Sequence, residues 1–131
     1  MVKERYCSSE VSKLLKEKGF NEKTNRYYNA QFNECRTVSD TFMMPFNNED
    51  FMKGVMMEGA MAIPTHQMAC DWLREWYNID IIIEITNPSA KPRKYYVVIW
   101  DNDNNSYILD LFGSPKEAIE EALKYCLENL I

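Results

Sequence analysis

The chain has 131 residues, 46% of them hydrophobic and 27% charged, and a formal net charge of −5 at pH 7. That length suits one domain with a core of its own, and the composition is that of a globular rather than a disordered chain. The acidic balance argues against phosphate-backbone binding, and the lack of any apolar run of about 20 residues argues against a membrane span.

In chain order, Ser8-Ser9-Glu10 opens the first predicted helix. A serine hydroxyl caps free N–H groups, and the glutamate suits the positive helix end. Val11, Leu14 and Leu15 form its apolar stripe, extended by the stem of Lys18. Lys13, Lys16 and Lys18 stand late in the helix, where positive charge is favoured. Gly19 fits the left-handed C′ position, and Phe20 at C″ is expected to fold back on Leu15 in a Schellman cap. Residues 21–38 read as a short irregular hairpin around Tyr27, Tyr28 and Phe32. Residues 40–63 are rich in methionine and read as a packed loop or a short helix over 48–57.

Pro64-Thr65 starts the second predicted helix, with Met68, Ala69, Trp72, Leu73 and Trp76 on one broad face. Asn78 is its expected stop, because asparagine tolerates left-handed geometry. Ile79, Ile81, Ile83 and Ile85 then alternate with Asp80, Ile82 and Glu84, the pattern of a strand with one strongly apolar face. Residues 87–92 form a loop, Tyr95–Trp100 a second strand, residues 101–105 a turn and Tyr107–Phe112 a third strand. The last two strands pair as a hairpin. Ser114, Pro115 and Glu117 occupy N-cap, N1 and N3 of the last helix, a capping box with the favoured proline. Its expected buried stripe is Ile119, Ala122, Leu123, Cys126, Leu127 and Leu130, with Glu117, Glu120, Glu121 and Glu128 on a solvated face.

Few motifs carry chemistry. The four cysteines, Cys7, Cys35, Cys70 and Cys126, lie far apart without a C-x-x-C pair, so they read as reduced thiols, some buried. His66 is the single histidine, and any nucleophile–base scheme must pass through it. Its place in a first helical turn favours a surface or capping role. Asp101-x-Asp103-x-Asn105 matches the first half of a calcium loop, but Ser106 fills the glycine slot and Phe112 the bidentate-acid slot. A plain Asp/Asn turn is the favoured reading. The four glycines make no phosphate-binding loop. Arg93, Lys94, Tyr95 and Tyr96 mix base with aromatic, which suits either stacking on nucleic acid or an edge strand guarded by charge.

Three stretches, residues 7–20 (CSSEVSKLLKEKGF), 64–75 (PTHQMACDWLRE) and 117–131 (EAIEEALKYCLENLI), together resemble a family of short uncharacterised proteins of gut Bacteroides-type bacteria, their phages and mobile elements. The resemblance covers about a third of the chain. It implies a bacterial or phage setting and a cytoplasmic location, and it carries no activity and no site residue.

The expectation is thus a single α+β domain over residues 1–131: a small, mainly antiparallel sheet of three to five strands with about three helices packed on it, and a Met-rich insertion around 40–63. The expected function is that of a non-enzymatic accessory protein of a phage or mobile element, with no cofactor and no bound metal. It would act on a protein partner, or by self-association, through Phe42, Met43, Met44, Phe46, Phe51, Met52, Met56 and Met57. One alternative is a nucleic-acid module using the 93–100 strand. The other is a small-ligand or nucleotide sequestering protein with Trp72, Trp76 and Trp100 around a pocket.

Overall fold

The computed structural model describes residues 5–29, 33–37, 47–49 and 60–131. The chain divides into two compact units, Met1–Thr65 and His66–Ile131. The class is α+β: among the described residues, helices combine with two three-stranded antiparallel sheets.

In the first unit, helix α1 runs over Ser9–Glu17. The Ser8 hydroxyl accepts the Val11 N–H at 3.1 Å, so the expected N-cap is in place. At the other end Gly19 takes φ +92°, the Gly19 N–H donates to Lys16 O (3.1 Å), and the Phe20 N–H donates to Leu15 O (2.9 Å). Those two bonds are the Schellman pair, and Phe20 is buried with Leu15 as the motif requires. The buried stripe is Val11, Ser12 and Leu15, with Leu14 only half-buried. Strand β1 (Arg26–Asn29) pairs with β2 (Glu34–Thr37) as the hairpin that Tyr27 and Tyr28 announce; Phe32 lies outside the described residues.

Strand β3 (Met61–Ala62) closes the far side of β1, giving the order β2-β1-β3. No alternating pattern marks so short a strand. It is held by Asn48, a buried amide whose Nδ2 donates to Phe20 O (2.8 Å) and whose Oδ1 accepts the Ala62 N–H (2.8 Å). Two backbone groups of different segments are satisfied by one side chain, which is the condition for burying it.

In the second unit, α2 (His66–Tyr77) leads directly into β4 (Asp80–Ile85). Asn78 stands at φ +54° and makes the reversal, while the Asn78 and Ile79 N–H groups donate to Arg74 O and Leu73 O. Strands β5 (Tyr95–Trp100) and β6 (Ser106–Phe112) complete a sheet of order β4-β5-β6, so β5 is the central strand and not an edge. Helix α3 (Pro115–Asn129) packs across all three strands, and α2 packs on β4 and α3. Both helices thus lie on one side of the sheet.

The α3 N-cap forms as expected, with Ser114 Oγ accepting the Glu117 N–H (3.2 Å). The return bond differs from the usual box: Glu117 Oε2 accepts from the Gly113 N–H (3.3 Å), one residue before the cap. Ala118, Ala122, Leu123, Cys126 and Leu127 are buried, while Ile119 and Leu130 are only half-buried.

Candidate functional site

Strand alternation assigns the second sheet two faces. Its pairing register sets Ile81, Ile99 and Tyr107 in one row and Ile83, Val97 and Leu109 in the next, and this is the side that meets the helices. Val97 and Ile99 are wholly buried there. The opposite side carries three rows of its own: Asp80–Trp100–Ser106, Ile82–Val98–Ile108, and Glu84–Tyr96. The solvated face of an antiparallel sheet is normally polar. Here the middle row is aliphatic from edge to edge, and its outer members are exposed, Ile82 by 43% and Ile108 by 64%, with Val98 half-buried between them and Trp100 beside it at 42%. Single exposed apolar side chains are ordinary, whereas a contiguous row is not.

A register irregularity widens the row. Leu109 pairs with Val97 and Phe112 with Tyr95, so Asp110 and Leu111 both stand opposite Tyr96. This explains why Leu111, apolar and in a strand, is 61% exposed. Plain alternation along β6 gives no warning of it.

Carboxylates edge this face. Asp80 Oδ1 accepts from Arg74 Nε at 2.7 Å, and Arg74 also reaches Asp71 (3.3 Å). The bond to Asp80 raises the Arg74 pKa further, so the guanidinium stays charged. Glu84 Oε2 accepts the Tyr96 hydroxyl at 3.0 Å, and that bond holds the phenol above its ordinary range. Lys94, exposed and two residues before Tyr96 at the entry to the same strand, brings a cation to this face, while Asp110 is exposed at the β6 edge and lines a hollow with Glu121, Lys124 and Glu128 of α3.

The β5–β6 turn is shaped from within. Asp101 Oδ1 accepts the N–H groups of Asp103 and Asn105, both at 2.9 Å, and Oδ2 accepts the Tyr107 hydroxyl (2.9 Å) and Asn105 Nδ2 (3.4 Å). The Asn105 N–H, first among these donors, pulls the Asp101 pKa below the usual carboxylate range. Asn104 supplies the left-handed residue at φ +64°. A cation here would compete with four donors already in place.

His66 departs from the surface role its position suggests. It is 4% exposed, and Nε2 meets Glu120 Oε1 of α3 at 2.8 Å, so Glu120 belongs to a helix–helix contact rather than to the solvated face. Nε2 carries the hydrogen in that bond, and the buried Nδ1 has no partner among the described residues. A histidine four residues before Cys70 would suggest activated thiol chemistry. Burial does the reverse, pushing the Cys70 thiol up to about 11 and the Cys126 thiol up to about 12. Among the described residues no three His, Cys, Asp or Glu side chains are grouped to hold a metal ion.

The three indoles expected around one pocket are in different places. Trp72 is buried and meets Tyr77 edge to face at 5.3 Å, Trp100 is on the open sheet face, and Trp76 is 67% exposed. Trp76 lines a hollow of about 440 Å³ with Asn78, Asp101, Asp103 and Leu130 rather than packing in the α2 stripe. The sequence-expected basic–aromatic set is also divided. Arg93 and Lys94 precede β5 and are exposed, and Tyr95 and Tyr96 point to opposite faces. The expected contact residues Phe42, Met43, Met44, Phe46, Phe51, Met52, Met56 and Met57 lie outside the described residues. No helix among the described residues is long and apolar enough to cross a membrane.

No known protein family, curated protein or solved structure matches the chain.

Proposed function

We propose that the chain is a non-enzymatic protein-binding module that docks a partner on the open face of its second sheet. The observation that carries this reading is the exposed aliphatic row Ile82–Val98–Ile108 with Trp100 adjoining it. Such a row costs solvation when bare and gains about 25 cal/mol per Å² when covered. The non-enzymatic part is supported by chemistry. The His66 imidazole is buried and engaged with the half-buried Glu120, and the Cys70 and Cys126 thiols are held protonated. The Met-rich residues around 40–63 remain part of the proposal on sequence grounds, as a second adaptable contact region. The resemblance to phage and mobile-element proteins adds a setting in which small accessory factors act on host or element proteins.

The nucleic-acid alternative is weakened by the same face, because Glu84 is bonded to Tyr96, the residue on which a base would stack. The ligand-sequestering alternative needs aromatic walls, and Trp76 alone of the three tryptophans lines the hollow. A tagged chain used to capture partners from a bacterial extract, followed by reconstitution with the purified partner, tests the docking reading. An Ile82→Ser/Ile108→Ser chain is expected to lose the partner, and equal binding by that variant refutes the face. A Met56→Ser/Met57→Ser chain tests the second region in the same assay.

A further inference from the structure

The outer edge of the second sheet carries backbone groups that no neighbouring strand takes up. The β5–β6 turn closes with the Asp101 N–H donating to Asn105 O (3.0 Å) and the Asn104 N–H to Asp101 O (3.1 Å). Beyond it, hydrogen-bonded and non-hydrogen-bonded pairs alternate, as in any antiparallel ladder. Ile99–Tyr107 and Val97–Leu109 are therefore the bonded pairs of β5 with β6. The Thr86 N–H, donating to Lys94 O (3.0 Å), gives the same phase from the other side: the even-numbered residues of β5 turn toward β4. Ser106 and Ile108 thus aim their N–H and C=O groups away from β5, where no strand lies among the described residues. The pairing of β6 is regular over Ser106–Leu109, and the bulge begins at Asp110. A bare edge of this kind is a template for another strand.

We infer that a second copy of this chain pairs along this edge, β6 against β6, antiparallel about a two-fold axis at Ile108. In that register the two Ile108 residues exchange both backbone bonds, Tyr107 stands opposite Leu109, and Ser106 opposite Asp110. Each opposition is compatible: aliphatic with aliphatic, aromatic with aliphatic, hydroxyl with carboxylate. Moving the axis to Tyr107, Leu109 or Ser106 sets Ile108 opposite Ser106, Asp110 or Asn104, all polar. An axis at Asp110 sets two carboxylates against each other. Glu121, Lys124 and Glu128 of α3 border the edge with charges of both signs, so no single-sign field bars the approach. The net charge of −5 on each copy is screened beyond about 8 Å at physiological salt. Pairing at Ile108 also joins the Ile82–Val98–Ile108 rows of the two copies into one. So short a ladder makes a weak dimer. The inference does not depend on the docking reading above.

Sedimentation equilibrium of the full chain from about 10 µM to about 1 mM should show monomer exchanging with dimer. In a mixture of differently isotope-labelled chains, an intermolecular NOE is expected between the α-protons of Tyr107 and Leu109, a non-hydrogen-bonded pair about 4.5 Å apart at Cα. Ser106→Asp sets two like-charge pairs with Asp110 across the axis and should weaken the dimer about threefold to tenfold, while Ser106→Lys should tighten it by a similar factor. Ser106 is exposed and outside the aliphatic row, and circular dichroism of both variants checks that the fold is kept. A chain that stays monomeric to about 1 mM overturns the inference. So does a dimer that lacks this NOE, or one on which the two Ser106 variants act alike. Ile82→Ser, aimed at the docking face, should leave the dimer intact; a dimer that it abolishes is joined face to face and overturns the edge pairing.

Discussion

One substitution placed on the two sides of the second sheet separates structural from docking residues. Leu123 is fully buried on α3, in the layer that covers all three strands. Leu123→Ala should cost about 2–5 kcal/mol, the transfer term plus the cavity left behind. A unit the size of His66–Ile131 has only about 3–10 kcal/mol to lose, at about 0.05–0.15 kcal/mol per residue. Leu123→Ala should therefore fold marginally, and Leu123→Asp, which adds a buried unpaired charge, should not fold. Ile108 is 64% exposed on the opposite face. There the same aliphatic-to-aspartate change should stay within about 0.5 kcal/mol of wild type. Urea unfolding followed by circular dichroism measures all three. If Ile108→Asp unfolds the unit, or Leu123→Asp leaves the transition midpoint in place, the assignment of the two faces is wrong.

Further expectations follow from local geometry. Gly19→Ala should cost about 1–2 kcal/mol purely through its left-handed backbone, because the added methyl meets no atom within 4 Å. Gly113→Ala, at ordinary φ and in normal contact with Glu117 at 3.7 Å, should be nearly neutral, and a similar loss at both sites in chemical denaturation would remove the Schellman argument. The lowered Asp101 pKa contributes stability that is present above the ordinary carboxylate value of 3.8 and disappears as pH falls through the depressed folded value. The stability gap between wild type and Asp101→Asn should therefore be constant near neutrality and close in acid; a gap independent of pH contradicts the four-donor turn. The raised Cys70 and Cys126 values work in the opposite direction, since unfolded thiols ionise from about 9 while the folded ones wait until about 11 and about 12. Stability should be intact below pH 9 and fall as pH rises through the folded values, less so in Cys70→Ala; rapid iodoacetamide labelling of Cys126 in the native chain at neutral pH would show that it is not buried as described.

The local devices were legible because each is set by residues within a turn of one another. Ser8, Gly19 with Phe20, Asn78, and Ser114-Pro115-x-Glu117 satisfy nearby backbone groups, and all four end their helices where the residue types require. The isoleucine alternation over 79–85 likewise predicted a strand with one strongly apolar face, since strand period is a property of the backbone alone; how far that face is covered is a tertiary matter, with Ile79 buried, Ile81 and Ile83 half-buried and Ile85 exposed.

What the sequence left open depends on partners far along the chain. Strand β3 exists because β1 and the buried amide of Asn48 receive it, and no pattern in two residues reveals that. His66 looked like a surface residue until α3 brought Glu120 to within 2.8 Å. Ile82, Val98 and Ile108 are spread over 27 residues and read as ordinary strand hydrophobes; only the antiparallel register aligns them in one row. The sequence by itself determined the helices, their caps and the strand periods up to the irregularity in β6, because those energies are local. The tertiary structure alone decided which greasy face was covered and which was left bare, because both helices took the same side of the sheet.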